Sequence, residues 1–68
     1  MEIDNVTIKK TKDNEYELSY NGIKATFLKD GDKNITTFHN KTIKSIDDIF
    51  DDEDVSKIYK VASDLSRK

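Results

Sequence analysis

The 68-residue chain has no cysteine, proline or tryptophan, only two glycines and a single histidine. Without cysteine there is no disulfide scaffold and no thiolate-ligated zinc, and the chain suits a reducing compartment. One histidine, His39 behind Phe38, leaves no nucleophilic pair and no imidazole cluster for a metal centre. Gly22 and Gly31 both fall in turn-forming stretches, so no glycine-rich phosphate loop is available. No apolar run approaches the roughly 20 residues that a bilayer span requires. The opening MEIDNVTIKK lacks the basic-then-apolar order of a secretory leader, and a cytoplasmic location is expected.

Strong charge of one sign is also missing. The formal net charge is −2, with 12 basic and 14 acidic side chains. Residues 1–44 hold eight lysines against seven acids, and residues 45–68 hold four bases against seven acids. Phosphate-driven nucleic-acid binding is disfavoured by that balance. Apolar residues make up 34% of the chain and charged residues 38%. Disordered chains share that composition, but here the apolar positions recur with regular periods, which indicates a folded domain. Its core must be small, near the lower limit for independent folding, so a homodimer is one expected route to added stability. The richness in Asn, Lys, Ile and Asp is typical of AT-rich genomes, and a bacterial or phage source is expected on composition alone.

What is present begins with Tyr20-Asn21-Gly22-Ile23. Asn-Gly between alternating apolar residues is the preferred two-residue hairpin turn, because both positions tolerate positive φ. The turn sets a register in which Tyr20 faces Ile23, Leu18 faces Ala25 and Tyr16 faces Phe27, all six on one face. Upstream, a three-residue loop Lys12-Asp13-Asn14, with Asn14 left-handed, pairs Ile8 with Leu18. Downstream, the turn at Asp30-Gly31-Asp32-Lys33 leads into a fourth segment, and an even loop count puts Phe38 rather than Ile35 on the apolar face. Strands are expected over about 3–10, 15–20, 23–29 and 34–39.

The apolar face needs a cover. At about 100° per residue, Val55, Ile58, Tyr59, Val61, Ala62 and Leu65 fall within an arc of about 160°. This predicts an amphipathic helix over about 52–66, after a short helical turn at 46–50 whose Ile46, Ile49 and Phe50 face inward. The expected fold is α+β: an antiparallel meander of three to four strands, the helical turn, and one C-terminal helix packed on the sheet.

Across the junction of the two helical segments runs IDDIFDDEDV, residues 46–55, six of whose side chains are acidic. Helix capping explains part of it. Ser45 with Asp48, and Asp51 with Asp54, have capping-box spacing, and Phe50 with Val55 has the spacing of a hydrophobic staple. Asp47, Asp52 and Glu53 remain unexplained. Metal binding is a weak reading. DDIFDD resembles the paired-aspartate motif that holds magnesium in prenyl-diphosphate enzymes, but the large helical cavity and second acidic motif do not fit in this length. The stretch from Asp30 places Ile35 and Lys41 where a calcium loop needs Gly and Glu.

Function is therefore an expectation built on charge. A small non-enzymatic accessory protein is expected, binding another protein through Asp47, Asp48, Asp51, Asp52, Glu53 and Asp54. Dense carboxylates can imitate phosphate spacing and occupy a basic groove. By analogy of size and charge, the chain is expected to be a phage or mobile-element regulator or inhibitor. Two alternatives stand beside it: a nucleic-acid-associated module using Lys9, Lys10, Lys12 and Lys24, and a self-assembling protein whose edge strands pair between copies. No cofactor, metal or membrane is called for. An enzyme is not expected, since no acid–base pair and no pocket-sized volume are evident.

Overall fold

A computed structural model describes residues 1–67. The chain forms β1 (Glu2–Ile3), β2 (Val6–Lys12), β3 (Glu15–Tyr20), β4 (Ile23–Asp30), β5 (Lys33–Phe38), α1 (Ile46–Phe50) and α2 (Glu53–Ser66). The five strands make one antiparallel sheet in the order β1-β2-β3-β4-β5, and α2 packs across one face. The fold is α+β, with one strand more than the sequence suggested. The expected first strand is interrupted because Asp4 and Asn5 take φ of 53° and 71°. Short polar side chains tolerate that left-handed region, and two in succession reverse the chain. Ile3 then pairs with Val6, and Glu2–Ile3 runs back along β2.

The central hairpin follows the expected register: Tyr20 opposite Ile23, Leu18 opposite Ala25, Tyr16 opposite Phe27. Asn21 and Gly22 take φ of 48° and 82°, the two positive values that a type I′ turn demands. On the helix-facing side Leu18, Ala25 and Phe27 are each 1% exposed, joined by buried Val6, Ile8 and Ile23. Tyr16 and Tyr20 pack at the margin of this cluster, Tyr16 with its ring tilted against Phe27.

Ile8 lies opposite Leu18, as expected, although the connection differs. The turn is the two-residue Asp13-Asn14, and Asn14 does not take positive φ. The extra residue sits instead in β2, where the register shifts between Lys10 and Lys12. A bulge at Thr11 offsets the pairing as a longer loop would have, so the strand keeps its face. The Thr11 hydroxyl donates to the Glu15 carboxylate at 2.7 Å. Asn14 serves β4 instead: its carbonyl accepts from the Lys29 amide at 2.9 Å, and its side-chain amide donates to the Lys29 carbonyl at 3.0 Å.

β5 pairs with β4 across Gly31-Asp32, an even loop, placing Phe38 opposite Ala25 and Ile35 opposite Leu28. Phe38 packs against the core, whereas Ile35 is 44% exposed. From α2 the core receives Val55, Ile58, Val61, Ala62 and Leu65, all buried. The outer face of the sheet carries cross-strand pairs such as Lys9–Glu17 and Lys12–Glu15, the pattern of a solvent face. Among the described residues, no helix is long and apolar enough to cross a membrane.

Candidate functional site

Three side chains, those of Asn21, Lys41 and Asn40, tie together the hairpin turn, the segment after β5 and the corner where α1 meets α2. The Asn21 side-chain amide donates to Asp54 Oδ1 at 3.2 Å, tying the central hairpin turn to the start of α2. Lys41 Nζ lies 3.0 Å from Asp52 Oδ2, tying the segment after β5 to the same helix end. Asn40 reaches the hairpin from below, donating to the Gly22 carbonyl at 2.6 Å and accepting from the Lys24 amide at 2.9 Å. The acidic segment is thus held on a rigid base.

Within it the carboxylates divide by role. Asp48 accepts from the amides of Lys44 at 2.7 Å and Ser45 at 3.3 Å, as the Ser45–Asp48 spacing suggested. The long helix is capped one residue later than expected. Asp52, not Asp51, is its N-cap, accepting from the amides of Asp54 at 3.0 Å and Val55 at 3.2 Å. Asp51 instead closes α1, its amide donating to the Asp47 carbonyl at 2.8 Å. The Lys41 ammonium is what the sequence pattern could not show: it pairs with the same carboxylate that caps α2. The Lys41 hydrogen bond comes first, followed by the amides of Val55 and Asp54, in holding the Asp52 carboxyl below its ordinary value.

With Asp48, Asp52 and Asp54 committed, the side chains of Asp47, Asp51 and Glu53 have no partner among the described residues. They are close in sequence to the two apolar residues that depart most from expectation. Ile46 is 58% exposed and Phe50 63% exposed; of the three expected to face inward, only Ile49 packs on the core. At about 100° per residue the three span an arc of about 100°, with Ile49 at one end, Ile46 about 60° from it and Phe50 a further 40° on. The short helix is rotated so that the Ile49 end of the arc meets the core and the Ile46 and Phe50 end faces solvent. The staple between Phe50 and Val55 is accordingly not formed: Val55 is fully buried while Phe50 points to solvent. Phe50 walls a shallow groove continued by Asp4, Glu53, Ser56, Lys57 and Lys60. Helical spacing put Phe50 on the apolar face of α1, but spacing alone does not say which edge of that face meets the core.

The basic alternative is dispersed. Lys9 and Lys12 lie on the open face of the sheet directly opposite Glu17 and Glu15, and Lys24 lies opposite Ser19. Lys10 pairs with Tyr16 and so belongs to the helix side. A phosphate backbone on the open face would meet a carboxylate beside two of its three lysines, which weakens the electrostatic term such binding rests on. His39, exposed on the open face, shares a hydrogen bond with the Thr26 hydroxyl. Among the described residues, no group of three or more His, Asp or Glu side chains converges to hold a metal ion. Compared with known proteins, the chain matches no family model, no curated protein and no solved structure.

Proposed function

We propose that the protein is a non-enzymatic, cytoplasmic binding module whose α1–α2 corner docks on a basic protein surface. The observation that carries this reading is Phe50: an aromatic side chain, 63% exposed, on a segment whose Asp47, Asp51 and Glu53 have no partner among the described residues, beside a groove that also holds Asp4, Lys57 and Lys60. Exposed aromatic residues held on rigid elements are the side chains that anchor protein interfaces, with charged rims steering approach. Ile46 widens the apolar centre. The unpaired carboxylates give that centre a rim suited to lysine and arginine. A regulator or inhibitor of a nucleic-acid-binding partner fits this chemistry, since such partners carry basic grooves.

Immobilised protein incubated with lysate from its native source, at low and at high salt, tests the reading. Wild type should retain a basic protein. Phe50→Ser should lose it at both salt concentrations while its stability stays within about 0.5 kcal/mol, as befits an exposed side chain. Neutralising Asp47, Asp51 and Glu53 together should weaken capture chiefly by slowing association, with the difference shrinking at high salt. Capture that survives both sets of changes would show that the corner is not the docking surface.

A further inference from the structure

The two edges of the sheet are finished differently. On one side β2 is partly covered by β1, whose Met1 carbonyl accepts from the Ile8 amide at 2.7 Å. Beyond that point β2 carries a bulge and three lysines, devices that blunt an edge against further pairing. The other edge is β5, six residues of NITTF sequence behind Lys33, with no proline and no bulge in its pairing to β4. No strand covers it among the described residues.

The hydrogen-bond phase of that edge is defined. The His39 amide donates to the Lys24 carbonyl at 2.9 Å, so His39 and Lys24 form a bonded pair. Bonded and non-bonded pairs alternate along an antiparallel ladder. Thr37, Ile35 and Lys33 therefore direct their backbone groups at β4, while Asn34, Thr36 and Phe38 direct theirs outward. At the centre of this open ladder stands Ile35, 44% exposed, with Leu28 beside it on the same face.

We propose that β5 pairs with β5 of a second copy, antiparallel about a twofold axis at Ile35, to give a continuous ten-stranded sheet. In this register Ile35 meets Ile35 of the second copy as a non-bonded pair, the closer of the two pair types. Asn34 and Thr36 exchange the outward backbone bonds. The two Leu28 side chains extend the apolar strip on either side, removing from water the exposed aliphatic residue that the monomer leaves there.

Charge supports the second copy as occupant rather than an unrelated peptide. The turn that opens β5 carries Asp30 and Asp32 beside Lys33, a net of one negative charge, and the segment that follows it carries His39, Lys44 and Lys41, the last already paired with Asp52. Antiparallel self-pairing lays the acidic end of each strand beside the basic end of the other, twice. A parallel arrangement would set like ends together. Because the pairing uses a surface other than the α1–α2 corner, it stands independently of the docking reading above.

The absence of cysteine makes a sensitive reporter simple to build. Opposed non-bonded positions bring Cα atoms to about 4.5 Å, inside the roughly 4.4–6.8 Å range of disulfides. Ile35→Cys should therefore cross-link to a covalent dimer under mild oxidation, and Thr37→Cys should not. In sedimentation velocity the wild type should shift from monomer to dimer as concentration rises. Ile35→Lys, which places two ammonium groups on the axis, should remain monomeric. So should Thr36→Pro, which removes an outward N–H and spares the bonds to β4. A wild type monomeric at every concentration overturns the proposal and leaves the edge to a peptide from another protein. A dimer that persists in both variants, or cross-linking of Thr37→Cys rather than Ile35→Cys, overturns it as well.

Discussion

α1 and α2 are cut from one stretch of acidic and apolar residues, yet they place their hydrophobic side chains in opposite surroundings. α2 spans 14 residues and buries five apolar side chains; α1 spans five residues and buries none. Length makes the difference. A long amphipathic helix repeats its apolar positions over several turns and can rotate until the whole stripe meets the sheet. A single turn carries only three apolar side chains on an arc of about 100°, too few to fix which edge of that arc meets the sheet. Here the Ile49 edge meets the core and the Ile46 and Phe50 edge is left in solvent. What looks in sequence like one continuous apolar pattern thus contains both a core and a surface.

The strongest way to break this comparison is to shorten one isoleucine in each helix. Ile58 is fully buried, so Ile58→Ala should cost about 2–5 kcal/mol. That is a large share of the stability of so small a domain, and the urea midpoint should fall accordingly. Ile46→Ala, the same chemical change on α1, should stay within about 0.5 kcal/mol. Equal losses would mean that α1 is packed after all.

Next in size is the cap between the helices. Asp52→Ala removes the acceptor for two amides and the Lys41 ion pair together, so its melting temperature should drop measurably. Asp51→Ala should melt close to wild type. The reverse order would restore the cap expected from spacing alone.

A smaller effect sharpens the same contrast by pH. The Asp52 carboxyl is held below its ordinary value of 3.8, first by Lys41 and then by the amides of the following turn. Between the lowered folded value and the ordinary unfolded one, the unfolded chain binds a proton that the folded chain does not, so stability rises with pH there. The contribution is complete above the ordinary value and disappears as pH falls through the folded one. Urea midpoints of wild type and Asp52→Asn should therefore differ most near neutrality and converge in strong acid.

The sheet was legible where turn chemistry and side-chain period agree. Asn21-Gly22 with its alternating flanks predicted the register of three residue pairs, and the burial of Leu18, Ala25 and Phe27 follows from it. Phe38 was placed by parity alone. The features that sequence reasoning missed are those in which two local solutions serve the same register. A left-handed Asn14 and a bulge at Thr11 both pair Ile8 with Leu18, and hydrophobic period cannot separate them. The Asp4-Asn5 reversal was hidden because the two residues of β1 are too few to show alternation. In the corner, the acidic residues were visible as a cluster, but their roles were not. Asp52, the cap of α2, is also the partner of Lys41, eleven positions upstream, and the outward turn of Phe50 accompanies the seating of Ile49 on the core.

Each strand in this sheet bonds only to its immediate neighbour in sequence, through four two-residue turns. Nothing in such a layout has to wait for distant parts of the polypeptide to meet by diffusion. Single hairpins close in about 1–10 μs, and chains dominated by local pairing reach their native state faster than β-rich sandwiches of similar size. The contacts that do reach far along the chain are those of α2, whose Val55, Ile58, Val61, Ala62 and Leu65 close the core against strands that begin at Val6.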